Sequence, residues 1–183
     1  MDRDGLIRAI TWELGKEFFY DVEAAFGIDE LSPRLEAAKT FGECWAVHDS
    51  APAGSQVRRN ALEKASRLAA TVKEYRTVYD GASENSDVER EALRKIESLL
   101  FPRLEEAATV EQLCEVRRLA PEGSQVRLKA SERIESLLLR RLEAAETVEG
   151  CKEVLRFCPR FSPVAYAAIR KMGKFLERDA VTA

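Results

Sequence analysis

His48 is the only histidine in a chain of 183 residues. With no second imidazole, and no cysteine at ligand spacing around it, a metal site is not expected, and nothing else in the chain asks for a cofactor. Glycine and proline are scarce, at 9 and 6 residues, as in a helical solenoid or bundle. No Gly-rich phosphate loop, G-x-S-x-G elbow, H-E-x-x-H helix or acidic calcium loop is present, so the common nucleotide, hydrolase and metalloprotease chemistries have no anchor. The four cysteines, Cys44, Cys114, Cys151 and Cys158, form no C-x-x-C pair. An apolar run of membrane length, a signal peptide and a basic presequence are also missing, and a reducing cytoplasm is the expected compartment. The net charge of −3, with a pI near 5.5, supplies no overall field to draw the chain to nucleic acid or anionic lipid.

What the chain has instead is self-similarity. The stretch 107–133 reads AATVEQLCEVRRLAPEGSQVRLKASER, and three further copies align with it. Each copy opens with a threonine and turns at a serine fifteen residues later: Thr40/Ser55, Thr71/Ser86, Thr109/Ser124 and Thr147/Ser162. Val47, Val78, Val116 and Val154 follow the threonines at one spacing. Val57, Val88, Val126 and Val164, then Ala61, Ala92, Ala130 and Ala168, follow the serines at another. Thr109 with Gln112 reads as a capping box that starts a helix, as do Thr71/Glu74 and Thr40/Glu43. Val110, Leu113, Val116, Leu119 and Ala120 make one helical stripe; Val126, Ala130, Ile134, Leu137 and Leu138 make another. Pro121 ends the first helix, Gly123 permits a positive φ in the turn, and Ser124 caps the second. Pro52 and Pro159 match Pro121, whereas the second copy has Ser83 and a polar turn, 80–86. The unit is helix, tight turn, helix.

The threonine-to-threonine steps are 31, 38 and 38 residues. The added seven lie in the second helices, as 97–103 and 135–141, about two helical turns that leave the apolar face where it was. Pro102 is expected to kink or end its helix before a fresh turn at 104–108. Residues 1–32 read as an N-terminal capping helix and linker, with 27–33 as the linker itself. Leu6, Ile7, Ile10, Leu14 and Phe18 form one stripe there. Trp12, Phe19 and Phe26 form a second, either buried against the first repeat or open as a partner surface. Residues 33–178 hold the four hairpins. Phe161, Tyr166 and Phe175 give the fourth an aromatic character that suits a C-terminal cap, and 179–183 is a tail expected to fray.

Cys44 and Cys151 share a repeat position with Tyr75 and Leu113, which marks it as a packing position and the thiols as buried. A Cys44–His48 dyad, four residues apart, lacks a third orienting group, so no catalytic residue is expected and the chain reads as no enzyme. One recurrence carries charge: Lys64, Lys95, Arg133 and Lys171 each stand nine residues after a serine cap. In a stacked array they form a ladder, serving either as a rail for an acidic peptide or phosphate backbone, or as stems that cover apolar surface and pair with carboxylates of a neighbouring helix. Arg117, Arg118 and Arg127 add positive charge to the third repeat.

These residues, above all A-A-x-T-V-E-x followed by A-P-x-G-S-x-V, resemble the α-helical hairpin repeats of the HEAT, armadillo and tetratricopeptide group. They are most similar to short helical repeats of uncharacterised bacterial proteins. The resemblance covers about 33–176 and implies an all-α, right-handed α-solenoid of four hairpins with an N-terminal capping helix. It brings no known activity, and the groove of such an array usually takes a protein or peptide. The expected function is therefore a non-enzymatic interaction or scaffold module. The alternatives are a nucleic-acid binder using the basic face, and a homodimer or other homo-oligomer formed through the N-terminal helix. No membrane association is expected.

Overall fold

The computed structural model describes residues 30–159 and 161–182, and these contain helices and turns without a strand. The protein is all-α. After a helical stretch over 30–37 come α1 (Phe41–Ser50), α2 (Gln56–Leu68), α3 (Val72–Gly81), α4 (Asp87–Glu106), α5 (Val110–Leu119), α6 (Gln125–Ala144), α7 (Val148–Leu155) and α8 (Pro163–Thr182). The chain divides into two compact units, up to Lys95 and from Ile96 onward.

Helix starts are set by the expected hydroxyls. Thr40, Thr71, Thr109 and Thr147 accept from the backbone N–H of Glu43, Glu74, Gln112 and Gly150. Ser55, Ser86, Ser124 and Ser162 accept from Arg58, Glu89, Arg127 and Ala165. Each fills one of the four donors that a helix start leaves unpaired. The first three threonines complete their capping boxes; Thr147 does not, because Gly150 has no side chain to reach back. Glu89 departs from the box as well, since its carboxylate accepts from the Asn85 N–H.

The turns share a backbone requirement that the glycines alone do not reveal. Fourteen residues after each threonine stand Gly54, Asn85, Gly123 and Phe161, with φ of 76°, 60°, 76° and 65°. Glycine and asparagine enter this region readily, whereas a benzyl side chain crowds the backbone. Phe161 is also 82% exposed, so no packing offsets the strain.

A further constraint lies two residues before each threonine, at Ala38, Ala69, Ala107 and Ala145, all buried. The N–H of each bonds back into the helix just finished, to Arg34 and Leu35, Ala65, Arg103 and Leu142 respectively. One helix thus closes and the next begins within a few residues, and a side chain of one carbon fits that closeness.

In the unit up to Lys95, Leu31 and Leu35 pack with Cys44, Val47, Val57 and Ala61. Phe41, Trp45 and His48 stack along α1, with centroids 6.0 Å and 4.5 Å apart. Gly81, ending α3, lies against this stack; a Cβ there would come within 2.7 Å of the Trp45 ring. In the other unit α5 packs on α6, α7 on α8, and α6 contacts both α7 and α8. Val110, Leu113, Val116, Val126, Ala130, Ile134, Leu138, Cys151, Val154, Val164 and Ala168 are buried there.

Two boundaries differ from expectation. α4 runs unbroken through Pro102 to Glu106: Leu104 and Ala107, both buried, hold its last turn against the core despite the hydrogen bond proline removes. Residues 30–33, expected as linker, are helical because Leu31 belongs to the core. At the other end, α8 is helical to Thr182. The capping-helix assignment to residues 1–29 lies outside the described residues.

Two stability outcomes are expected. Phe161→Gly relieves about 1–2 kcal/mol of left-handed strain and gives back part of it as unfolded-chain entropy. It should raise stability by about 0.5–1 kcal/mol in urea unfolding, while Gly123→Ala lowers it. The second concerns acid. The Lys39 N–H, at 2.7 Å, and then the Thr40 N–H hold the Glu43 carboxyl below the ordinary glutamate range; the Ala70 N–H does the same for Glu74. A carboxyl depressed in the folded state stabilises above its unfolded pKa, about 4.3, and loses that contribution as pH falls through the lowered value. Glu43→Gln/Glu74→Gln, which copies the Gln112 box without the charge, should lower neutral-pH stability, change stability in acid little, and so flatten the stability–pH curve below that point.

Candidate interaction surface

Three of the four recurring cations turn out to be fasteners at helix ends. Lys64 Nζ donates to the carbonyls of Leu35 and Glu36, at 2.6 and 3.0 Å. Lys171 Nζ donates to those of Leu142 and Glu143, at 2.6 and 2.9 Å. Arg133 donates to the Leu104 carbonyl and, at 2.7 Å, to that of Ala107. In every case the acceptors end the helix that precedes the hairpin, where carbonyls lack intrahelical donors and the helix dipole is negative. Lys95 lies within 3.9 Å of the Glu91 carboxylate and has other interactions. The neighbouring-helix role anticipated for the ladder is present at these three positions, with backbone carbonyls as the partners rather than carboxylates.

Arg127 does similar work inside its own hairpin, donating at 3.3 Å to the carbonyl of Ala120, the C-cap of α5, and lying 3.7 Å from Glu122. Arg58, at the matching position, donates to the Ala51 carbonyl at 3.3 Å. Arg118 forms an exposed two-pronged pair with Glu115, at 3.0 and 2.8 Å, which raises the guanidinium pKa and lowers that of the carboxyl. Arg117 lines a notch of about 180 Å³ with Ser131, Ile134, Glu135, Leu138 and Pro163. Arg118 and Arg127 are therefore taken up by separate local partners, and Arg117 stands apart from both at the notch.

His48 is buried. Arg58 Nε donates to its Nε2 at 3.3 Å, so that nitrogen carries no proton, and Nδ1 faces Asp49 Oδ1 at 3.2 Å. Both nitrogens are committed to groups other than Cys44. Burial pushes the Cys44 thiol pKa up, with Lys64 opposing, and Cys158 is raised by burial as well. The Cys158 Sγ donates to the Val154 carbonyl at 3.3 Å. Among the described residues no three His, Cys, Asp or Glu side chains are grouped to hold a metal ion. Trp12, Phe19 and Phe26 lie outside the described residues.

A recurrence that sequence reasoning passed over supplies the more open surface. Thirteen residues after each serine cap stand Leu68, Leu99, Leu137 and Phe175, one helical turn beyond the basic position and on the same flank. Leu68 and Leu99 are 38% and 39% exposed, and Leu137 and Phe175 are half-buried. Lys171 Nζ lies 5.8 Å from the Phe175 ring centroid. In the first unit Leu68 and Lys64 share a shallow trough of about 480 Å³ with Leu35, Asn60, Glu63 and Arg67. The signal was available in the sequence as a fixed spacing, but an apolar residue in a helix reads first as core, and only the exposures distinguish it. Comparison with protein-family models, with curated proteins and with solved structures gave no match.

Lys171→Met, which keeps the stem and removes the donor, should cost about 1–2 kcal/mol in urea unfolding through lost charge-assisted bonds to carbonyls. Arg118→Ala, losing an exposed pair, should stay within about 0.5 kcal/mol of wild type.

Proposed function

We propose that this chain is a non-enzymatic protein-interaction module: a right-handed α-solenoid of four hairpins whose groove takes a peptide segment of a partner protein. The observation that carries the reading is the recurring half-exposed apolar residue at Leu68, Leu99, Leu137 and Phe175. On a helix face that only meets water, charge would stand there; a partly open leucine beside a cation suits an apolar anchor with an acidic neighbour. The trough containing Leu68 and Lys64 gives that chemistry a concave seat. The carbonyl contacts of Lys64, Arg133 and Lys171 favour a peptide over a nucleic-acid backbone, since much of their donor capacity is already used within the protein.

The test is selection from a displayed random-peptide library, followed by fluorescence anisotropy of the enriched sequences. Peptides combining an apolar anchor with acidic residues are expected. Leu68→Asp/Leu99→Asp, confirmed folded by circular dichroism, should weaken them by more than about tenfold. Enriched peptides that bind the variant as tightly as wild type would remove this surface from consideration. Binding to duplex nucleic acid that falls steeply with salt would replace the reading with the nucleic-acid one.

A further inference from the structure

The last hairpin leaves open a face that the others close. Ten and fourteen residues after the serine caps stand Ala65 and Ala69, then Ile96 and Leu100, then Ile134 and Leu138, all at most 6% exposed. Ile134 and Leu138 show the reason: they lie on α6, which packs against α7 and α8, and line one notch with Cys158, Pro159 and Val164 of the hairpin that follows. The corresponding residues of α8 are Met172, half-buried, and Leu176, 57% exposed; Ile169, one turn earlier, is also 57% exposed and Tyr166 is 55% exposed. Tyr166, Ile169, Gly173 and Leu176 follow three- and four-residue spacing, so they form one stripe. The stripe that α8 turns outward is apolar.

We propose that this stripe is a self-association face, on which a second copy packs its own α8 antiparallel about a two-fold axis near Gly173. Two observations select a second copy in this arrangement. In head-to-tail stacking the partner would offer the matching face of its first hairpin, but Leu31 and Leu35 already cover Cys44, Val47, Val57 and Ala61 there. The charges beside the stripe are self-complementary: Arg170 and Glu177 are seven residues apart, two helical turns, and so share one flank. Antiparallel pairing centred between them brings Arg170 of each copy to Glu177 of the other, as an isologous contact requires. Gly173 sits at that centre, where a Cβ would meet nothing within 4 Å. A glycine in mid-helix costs about 1 kcal/mol, and close crossing of two helices gives that cost a purpose.

Sedimentation velocity on the full chain, through the micromolar range, tests this. Wild type should dimerise, and Ile169→Glu/Leu176→Glu should weaken the dimer by more than about tenfold with unchanged circular dichroism, since both side chains are exposed. Arg170→Glu and Glu177→Arg should each weaken it, and the two together should restore it. Gly173→Cys should yield a disulfide-linked dimer under oxidation, and Leu128→Cys, exposed on α6, should not. A wild type that remains monomeric at the highest concentration overturns the proposal. So does a dimer that survives Ile169→Glu/Leu176→Glu, which would place the contact elsewhere, such as in residues 1–29.

Discussion

The hydrogen bonds that a basic side chain sends to the exhausted end of the preceding helix are the contacts on which the packing of successive hairpins depends. Lys64, Arg133 and Lys171 each reach back 26 to 29 residues to do this. The caps, in contrast, span three residues and specify each helix separately. A hairpin can therefore form from local chemistry, and the cation then decides how it sits on the helix before it. The acceptors lie at the negative end of a helix, so each bond compensates a dipole, and at Leu35 and Leu142 it adds to the one the carbonyl already accepts from Ala38 or Ala145.

Much of this was legible before any coordinates. The threonine and serine positions led to eight helix starts because capping is a local contest for orphan N–H groups, readable at a spacing of three. The position shared by Cys44, Tyr75, Leu113 and Cys151 was read as packing because three chemistries stand at one site; Cys44, Leu113 and Cys151 are buried and Tyr75 is half-buried. The apolar periodicity located the core, and Leu137 alone in its stripe remained half-exposed.

Other features were not legible, for physical reasons. Pro102 looked like a helix end because the rule concerns one lost hydrogen bond; the burial of Leu104 and Ala107 outweighs that loss and is nonlocal. The strain at Phe161 escaped because glycine at two of four turns suggests a preference, whereas the dihedral angles reveal a requirement. The basic ladder had two readings in the sequence, since a lysine that touches a carbonyl and one that waits for a ligand have identical local patterns. The exposure of Leu68 and of Leu99 was hidden in the same way, because spacing records a helix face and does not say whether that face meets protein or water.

One substitution near the end of the chain has wider bearing. Gln125 donates its backbone N–H to Glu97 at 2.9 Å, fastening the start of α6 to α4. At the matching place in the fourth hairpin stands Pro163, which has no N–H to give, and Glu135 lines the notch left beside it. The same hairpin lacks the glutamate of the capping box and carries the strained Phe161. Weak points that occur singly elsewhere are collected there. Native-state opening should therefore begin with α7 and α8, as the least protected cooperative segment of its unit, and whatever settles on α8 governs how often that happens.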